Sequence, residues 1–518
     1  MTTAITLPDH FLSGIHQGSS LVALFAVILV SRILYVLYDI RYGPLSDIPG
    51  PFWYKASGVP LAYVQARGRE AEVLPGLHAK YGPVVRVAPN ELSYASGADA
   101  WEDVYGFRKA GRPPKPFNDP IMYIRNVIQH ESITTAGEVD HARQRRILAP
   151  AFGDAALRAM QPLLTTWALK MRETVVAKIT RQHPGGGVGT AMVDMVKIFQ
   201  FTTFEVMGDL TFGEGLGMLD GGKFTPWVQT MVDGIKLDAW IRIAKHFKIG
   251  DVIIEALMNT KRARAQHWEH FKYSKERVDK RLARTDPRPD FWSFILRKDA
   301  EKDGFSMGEQ YVNATIFMLG GTETTSTALA GATFLLLTHP EAYKMAREEV
   351  RSAFSSVEDM TIEKLAGLKY LNACLSETMR VYPPVPCSVL RRTPVEGATI
   401  CGRHIPADVT IGVHIYATHT SSVHFRDPLA FRPERWLGDP EYAGDHLDAS
   451  APFGVGPRNC LGRNLAWHES RLLLATMLLC FDMTLAEESR DWSRQRVYTL
   501  WEKPPLMCHI RPAGMGFN

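Results

Sequence analysis

Phe453-Gly-Val-Gly-Pro-Arg-Asn-Cys-Leu-Gly462 is the most informative stretch of this 518-residue chain. Its cysteine, Cys460, lies where a helix is predicted to begin, because leucines recur near the helical period from Leu461 to Cys480. Free N–H groups and the positive dipole at a helix start stabilise a thiolate, the form of sulfur that binds iron. Glycines around the sulfur remove side chains, so a flat cofactor can approach the backbone. They are Gly454, Gly456 and Gly462.

The alternative interpretation of Cys460 is an inert, buried cysteine in a glycine-rich turn. Against it, Phe453 and Arg458 stand at fixed offsets from the cysteine, and Arg458 can bind a carboxylate of a cofactor. The pattern F-x-x-G-x-R-x-C-x-G resembles the haem-binding loop of the cytochrome P-450 family. The resemblance implies haem b as the cofactor and Cys460 as the thiolate ligand of its iron. It also implies haem contacts from Phe453, Gly456, Arg458 and Gly462.

Four further segments match the same family in the family's order along the chain. They are His141-Ala-Arg-Gln-Arg145, Gly320-Gly-Thr-Glu-Thr-Thr325, Glu377-Thr-Met-Arg380 and Phe431-Arg-Pro-Glu-Arg435. The resemblance covers Ile48 to Pro512. It implies a mainly α fold with a minor β part, in which a helix-rich triangular domain contains small β-sheets.

Basic side chains from two segments are implied to hold the haem propionates. By resemblance, His141 and Arg145 bind one propionate, and Arg391, which precedes Gly397-Ala-Thr-Ile400, is a further partner. His141 stands where the family has tryptophan, and this departure concerns only that one hydrogen bond.

Glu377, Arg380 and Arg435 form a predicted structural triad. Glu377 and Arg380 are three residues apart and therefore share one helix face. By resemblance, Arg435 completes the pair beneath the haem loop, where a buried network fixes geometry more than it adds stability. The alternative is a solvated surface face, since ion pairs at this spacing are common on helices.

The segment Gly320–Thr325 is implied to activate dioxygen. Two glycines in mid-helix cost about 1 kcal/mol each relative to alanine, which indicates a local reason such as a gap facing the iron. Thr324 and Glu323 are the predicted catalytic residues: Thr324 donates a hydrogen bond to bound oxygen, and Glu323 relays protons from bulk water. The alternative is that Thr324 bonds back to the preceding turn and Glu323 is solvated.

Helical signals dominate the rest of the chain. Ser306-Met-Gly-Glu309 has capping-box spacing and predicts a helix of about 30 residues that stops before Pro340. A second helix is expected from Asp359 to Tyr382, and short strands at Val84–Val87 and Ala398–Val413. Gly185–Gly189 is interpreted as a surface loop, because it lacks the residues of a phosphate-binding loop.

The N-terminus contains an apolar stretch, Leu21 to Tyr38, that is just long enough to span a bilayer. A cleaved signal peptide is the alternative, but no basic residue precedes the stretch and no cleavage site follows it. Arg32 and Arg41 place the following chain in the cytosol by the positive-inside rule. We therefore predict a single-pass protein of the endoplasmic reticulum membrane with a cytosolic catalytic domain. The predicted parts are a lumenal N-terminus (1–20), an anchor (21–40), a Pro/Gly linker (41–51) and the haem-thiolate domain (52–518).

Composition limits the partners. The net charge is only +4 and no run of five or more like charges occurs, so no nucleic-acid partner is expected. None of the six cysteines stands in a C-x-x-C pair, which disfavours disulfides and zinc. No complete G-x-G-x-x-G occurs, so electrons must come from a separate protein, by resemblance an NADPH-cytochrome P-450 reductase. Its acidic face is expected to meet a basic patch near Arg458 and Arg463.

The candidate substrate contacts are 115–132, 205–258, 384–390 and 497–501. Val385, Val389 and Leu500 are apolar, which favours a lipophilic small molecule, with core packing as the alternative. The apolar stretch Ile249–Met258 either dips into the membrane or is an ordinary helix flank.

These features predict a haem-thiolate monooxygenase that inserts one oxygen atom from O2 into a lipophilic compound. Ile48-Pro-Gly-Pro51 and Gly208-Asp-Leu-Thr-Phe-Gly213 resemble membrane-bound fungal members that tailor secondary metabolites. One alternative is a peroxide isomerase or dehydratase of the same fold, which needs no external electrons. The other is a non-catalytic haem-binding protein, for which Glu323 and Thr324 have no use.

Overall fold

A computed structural model describes residues 9–107, 115–122, 130–183, 189–284, 288–296 and 304–514. Helices dominate these residues and small sheets form the minor part, which confirms the predicted fold class. Of the predicted loop Gly185–Gly189, residues 185–188 lie outside the described ranges.

The helices, in chain order, are α1 (Asp9–Tyr42), α2 (Phe52–Ala56), α3 (Val59–Ala66), α4 (Glu70–Tyr81), α5 (Ala98–Tyr105), α6 (Glu138–Leu148), α7 (Asp154–Gln182), α8 (Met195–Phe212), α9 (Met218–Gly221), α10 (Pro226–Lys245), α11 (Lys248–Met258), α12 (Lys261–Leu282), α13 (Phe291–Ile295), α14 (Met307–Thr338), α15 (Pro340–Ala353), α16 (Ile362–Ala366), α17 (Lys369–Val381), α18 (Ile415–His419) and α19 (Arg463–Cys480). The strands are β1 (Val84–Ala88), β2 (Glu91–Tyr94), β3 (Phe117–Asn118), β4 (Ala191–Asp194), β5 (Arg391–Arg392), β6 (Ala398–Ile400), β7 (Arg403–Ile405), β8 (Thr410–Val413), β9 (Phe481–Leu485), β10 (Val497–Tyr498), β11 (Leu500–Trp501) and β12 (Met507–Pro512).

Helix α14 is the element around which the larger core is built. The capping box predicted at its start is present: the Ser306 hydroxyl accepts from the Glu309 N–H at 3.2 Å, and the Glu309 carboxylate accepts from the Ser306 N–H at 2.9 Å. The helix ends at Thr338, before Pro340, as predicted. It packs against α8, α12, α17 and α19, so most of its apolar surface is buried.

The largest sheet forms a separate core, whereas the three-stranded sheet packs into this helical core. The largest has the order β1-β2-β8-β5-β3, in which β2 and β8 are parallel and the other neighbours antiparallel. It packs with α5 into a smaller hydrophobic core that includes Leu92, Trp101 and Ile411. Strands β4, β12 and β9 form an antiparallel sheet, and β6–β7 and β10–β11 are two-stranded pairs.

Two predicted helices differ from the structure at their ends. The expected helix from Asp359 to Tyr382 is wrong as a single element, because α16 ends before Gly367 and α17 begins only at Lys369. Gly367 is a poor helix former, and its N–H caps the last carbonyls of α16. The helix expected from Leu461 begins at Arg463, so Cys460 lies in the preceding turn.

The apolar N-terminal segment is helical throughout its described part. Helix α1 extends past both ends of the predicted 21–40 anchor, and Val22–Tyr42 is long and apolar enough to cross a membrane. Its last turn is fixed to the body, because the buried guanidinium of Arg86 bonds the Asp39 carboxylate at 2.5 Å and the Leu45 carbonyl at 3.3 Å. Leu45 and Ile48 of the predicted linker are buried in the smaller core.

Candidate active site

A cavity of about 450 Å³ lies between α6, α14 and the loop that precedes α19. Most of the predicted site residues open onto it, although they come from distant parts of the sequence. The lining includes His141, Arg145, Thr324, Arg391, Phe453, Arg458, Cys460 and Gly462.

The Cys460 thiol faces this cavity from a turn closed by a hydrogen bond from its own N–H to the Phe453 carbonyl at 2.8 Å. Burial raises the pKa of Cys460, whereas a hydrogen bond from the Gly462 N–H and the charges of Arg145 and Arg463 lower it. The pKa is raised overall, although the sulfur is exposed to the cavity and has neighbouring groups that favour the thiolate.

Glycines in the Cys460 turn serve two different purposes. Gly454 and Gly456 have φ angles of +66° and +76°, which side chains rarely adopt. A Cβ on Gly456 would lie 1.9 Å from the Tyr105 carbonyl oxygen, so this residue lets the loop pack against the end of α5 and does not line the cavity. Gly462 does line it, and a Cβ there would meet only the Phe152 ring, at 4.0 Å.

Positive charge converges on one end of the cavity. Arg145 donates to the Asn459 carbonyl at 2.8 Å, and Arg458 donates to the Ala136 carbonyl at 2.7 Å. Burial, followed by the charges of Arg458, Arg145 and Arg391, lowers the pKa of His141 to about 4. Neutral His141 and three arginines suit a ligand with carboxylates at its edge, and a thiol faces the same space. This donor set fits a haem with its two propionates.

Helix α14 forms the wall of the cavity that contains Gly320, Gly321 and Thr324. A Cβ on Gly320 would meet no atom within 4 Å, whereas one on Gly321 would lie 2.5 Å from the Met207 sulfur of α8. Gly320 thus leaves space in the cavity, and Gly321 permits helix packing. The Thr324 hydroxyl donates to the Gly320 carbonyl at 2.6 Å, as one of the two interpretations of the sequence expected.

Glu323 points away from the cavity and is buried, so its interpretation as a solvated residue is wrong. Its carboxylate accepts from Gln200 Nε2 at 2.9 Å and from Lys503 Nζ at 3.0 Å. Sequence reasoning missed both partners, because they lie 123 and 180 residues away and neither belongs to a motif.

The predicted triad comes together in a fully buried position. Arg380 binds Glu377 through two hydrogen bonds of 2.7 and 2.8 Å, and Arg435 Nε adds a third at 3.1 Å. The Arg432 N–H and the Trp436 indole also donate to this carboxylate. Burial raises the pKa of Glu377, but the hydrogen bond and charge of Arg380, with Arg435 and the Arg432 N–H, outweigh it and leave the pKa lowered.

The remaining lining is mostly apolar and only partly matches the predicted substrate regions. Asn118, Met207 and the segment Pro384–Val389 contribute, but no residue of 497–501 lines the cavity, and 123–129 lie outside the described residues. Apolar residues of α14 that sequence reasoning did not single out line it as well. They are Ile316, Phe317 and Ala328.

Glu469 of α19 is a further cavity residue that the sequence analysis missed. Burial raises its pKa well above the usual value, and its Oε1 atom has no hydrogen-bond partner among the described residues. Burial thus favours the neutral form of this carboxyl group. No local pattern marks the residue, because His468, Ser470 and Arg471 surround it in the sequence of α19.

The predicted basic patch is divided by the structure. Arg463 is exposed, whereas Arg458 is half-buried and lines the cavity. The two arginines therefore do not form one surface, because the turn directs Arg458 inward, toward the carboxylate-binding end.

The sequence matches known proteins along nearly its whole length. The family model described as Cytochrome P450 matches residues 49–509. The cytochrome P450 monooxygenase efuB of Hormonema carpetanum is 44% identical over 492 residues, which cover 94% of this chain and 95% of that protein. The cytochrome P450 monooxygenase atr2 of Stereocaulon alpinum is 39% identical over 504 residues, with 96% of each chain covered. The cytochrome P450 monooxygenase astA of Talaromyces wortmannii is 36% identical over 492 residues, covering 95% of this chain and 97% of that protein.

Proposed function

Because this chain belongs to the cytochrome P450 family and is thus an oxidoreductase of the monooxygenase class, we propose that it oxidises a lipophilic small molecule of fungal secondary metabolism. In this proposal it inserts one oxygen atom from O2, and the electrons come from NADPH through a separate NADPH-cytochrome P-450 reductase. One observation carries the proposal: the thiol of Cys460, the arginines and the α14 segment all face one largely apolar cavity.

The residues of the cavity have distinct tasks in this proposal. A bound haem supplies the iron at which oxygen is activated, and sulfur ligation favours O–O cleavage. Cys460 is the ligand, and His141, Arg145, Arg391 and Arg458 hold the propionates. Phe453 and Gly462 shape the surface on which the macrocycle lies.

Thr324 and Glu323 supply protons on the α14 side. Thr324 lines the cavity, so its hydroxyl can leave the Gly320 carbonyl and donate a hydrogen bond into the cavity. Glu323 precedes Thr324 in the sequence, and its carboxylate accepts protons and passes them on to Thr324. The Glu377–Arg380–Arg435 triad keeps the segments around the Cys460 turn in register.

The shape of the cavity supports a lipophilic substrate. Ile316, Phe317 and Val389 present carbon surfaces, and few polar groups apart from the carboxylate-binding end reach the space. Such a lining binds apolar compounds by excluding water and leaves orientation to shape.

Arg463 is the exposed charge that we assign to reductase docking, since it lies next to the Cys460 turn. Reversing a docking charge slows association and changes its salt dependence. We expect Arg463→Glu to slow the first reduction by reductase, while Arg490→Glu, an exposed arginine elsewhere, leaves it unchanged. Equal reduction rates in both variants would remove Arg463 from the interface.

Membrane attachment is proposed for the α1 side of the molecule, with the catalytic domain on the cytosolic face of the endoplasmic reticulum. Helix α11 adds an exposed apolar face there, because α1, α2, α3, α10 and α11 contact one another in sequence. That face consists of Ile249, Val252, Ile253 and Leu257. An N-terminal tag protected from protease in sealed microsomes, with the catalytic domain digested, would support this orientation; a digested tag would reverse it.

The decisive experiment is the absorption spectrum of the purified protein, reduced with dithionite and exposed to carbon monoxide. Sulfur ligation of the iron gives a characteristic red-shifted band. We expect this band in the wild type and its loss in Cys460→Ala, whereas Cys401→Ala, an exposed cysteine away from the cavity, should retain it. Absence of the band from the wild type would overturn the proposal.

Two other functions are separated by one assay, NADPH consumption with reductase. The monooxygenase consumes NADPH with reductase, and it does so faster when a suitable lipophilic compound is added. A peroxide isomerase or dehydratase turns over without NADPH, and a non-catalytic haem protein does neither. Compounds for this assay are chosen by the shift that they cause in the ferric Soret band.

A further inference from the structure

Lys503 lies in the segment between β11 and β12 and reaches into the interior beside α14. Its Nζ donates to Glu323 Oε2 at 3.0 Å and to the Thr327 hydroxyl at 2.7 Å. The side chains of both Lys503 and Glu323 are only 4% exposed. Lysine and glutamate are rarely buried to this degree unless they are paired, because removing both charges from water is costly.

The pair occupies the helix face next to the cavity. Gly320, Thr324 and Ala328 are spaced by four residues and line the cavity, whereas Glu323 and Thr327 form the adjacent row. Gln200 occupies one oxygen of Glu323 and Lys503 the other, so within the described part of the chain Lys503 is the one cation that hydrogen-bonds this carboxylate.

Lys503 also connects this interior row to the surface. The next residues, Pro504 and Pro505, are exposed, so the backbone end of the Lys503 side chain lies at the surface while its ammonium group lies in the interior. The position of this segment relative to the cavity is fixed by Trp501, whose indole donates to the Pro383 carbonyl at 2.7 Å. Pro384 and Val385, which follow, line the cavity.

We propose that Lys503 is the proton donor to Glu323, and that protons used at the cavity pass from Lys503 to Glu323 and then to Thr324. In this step a proton leaves Lys503 Nζ and binds Glu323 Oε2, so the N–H bond breaks, the O–H bond forms and both groups become neutral. The neutral pair costs less to separate in the interior than the ion pair, which lets the acid turn toward Thr324. Lys503 regains its proton from water at the Pro504 edge.

This inference rests on the proposed function, since it concerns how that reaction obtains its protons. It goes beyond a relay from bulk water directly to Glu323, because it makes turnover depend on a side chain that can lose a proton. Arginine distinguishes the two, because a guanidinium can replace the charge and the hydrogen bonds but does not release a proton in proteins.

The test uses the full-length, haem-loaded protein with reductase and NADPH, without any organic compound. Oxygen reduced by one NADPH leaves as H2O2, whereas oxygen reduced by two NADPH leaves as two waters and requires further protons. The measured quantity is the H2O2 formed per NADPH consumed. The variants are Lys503→Arg and Lys503→Met, and the control is Lys236→Met, which breaks the exposed pair of Lys236 with Glu502.

We expect both Lys503 variants to consume NADPH about a hundredfold more slowly than the wild type, the lower end of what acid–base groups contribute, and to release most of the consumed electrons as H2O2. The first reduction, followed as the carbon monoxide band, stays at the wild-type rate. Lys236→Met matches the wild type in all three measurements.

Lys503→Arg distinguishes a lysine that donates protons to Glu323 from one that only holds Glu323 in place. If it restores the wild-type ratio of H2O2 to NADPH, Lys503 only holds Glu323 and the inference is overturned. If Lys503→Met does not fold, Lys503→Arg alone carries the test. A wild type that consumes no NADPH with reductase would instead overturn the proposed function, and this inference with it.

Discussion

Each side of the cavity has a buried glutamate next to arginine or lysine, but the two glutamates differ in their hydrogen-bond partners. On the Cys460 side, Glu377 accepts five hydrogen bonds, three of them from the guanidinium groups of Arg380 and Arg435. On the α14 side, Glu323 accepts from one amide and one ammonium. The first carboxylate is saturated by groups that never lose a proton, and the second is held by one that can.

The difference shows what each wall requires. A ligand turn that must present Cys460 at a fixed place gains from a network whose members cannot rearrange. A wall that delivers protons must break and remake hydrogen bonds, so single partners are an advantage there. The network around Glu377 extends further, since Arg380 also donates to the carbonyls of His419, Pro428 and Ala430.

The largest effect is expected from Glu377→Ala. The change leaves the buried guanidinium of Arg380 without its anion and Arg435 with Asp445 alone, which costs about 3–5 kcal/mol of unfolding free energy. We expect little soluble protein and little bound haem, measured by urea unfolding and by haem content. Glu441→Ala, which breaks the exposed pair with Arg426, should cost less than about 1 kcal/mol. Equal losses in the two variants would show that the network around Glu377 does not support the fold.

Gly456→Ala should have the next largest effect. A methyl group there strains a backbone with φ +76° and meets the Tyr105 carbonyl at 1.9 Å, so about 2–3 kcal/mol of stability is expected to be lost. Gly462→Ala is the matched change in the same turn, where φ is −84° and space is available. We expect it to retain wild-type unfolding. If both variants lose the same stability, the turn on the Cys460 side is not as rigid as this comparison requires.

The Cys460 side of the cavity, with the network around Glu377, was also the part that could be predicted well from the sequence. The Cys460 turn, the Glu377–Arg380 spacing and the capping box of α14 are local patterns, in which neighbouring residues reveal their own geometry. The α14 side of the cavity, where Glu323 has single partners, was predicted only in part. Thr324 and Glu323 were found by their position on α14, but Gln200 and Lys503 approach Glu323 through the packing of α8 and of the C-terminal segment.

Other misses have the same physical origin. The direction in which Arg458 points depends on the Cys460 turn and on the carbonyl of Ala136, more than 300 residues away. The break between α16 and α17 depends on one glycine within a stretch that otherwise resembles a continuous helix. Burial of Glu469 depends on which face of α19 meets the cavity. Long-range packing decides all three, and no local spacing carries it.

Glu469→Gln tests a carboxyl on the Cys460 side that has no cation beside it. The pKa of Glu469 is raised in the folded protein, so the folded state binds more protons than the unfolded state once the pH exceeds about 4.3. Wild-type stability should therefore fall by up to about 1.4 kcal/mol per pH unit relative to the variant as the pH rises above that value. Unfolding free energies at pH 5 and 6 measure this. Parallel curves would mean that Glu469 is ionised and paired in the folded state.

The smallest effect is expected on the α14 side of the cavity, from Gln200→Leu. Leucine keeps most of the volume but removes the 2.9 Å hydrogen bond to Glu323, whose second oxygen remains bound to Lys503. We expect a loss of about 1 kcal/mol in unfolding free energy, the value for a single intramolecular hydrogen bond, since the ion pair with Lys503 persists. Gln229→Leu, which removes an exposed bond to Asp233, should cost almost nothing. A loss for Gln200→Leu as large as that for Glu377→Ala would contradict the contrast between the walls, because it would mean that Glu323 depends on a complete network as Glu377 does.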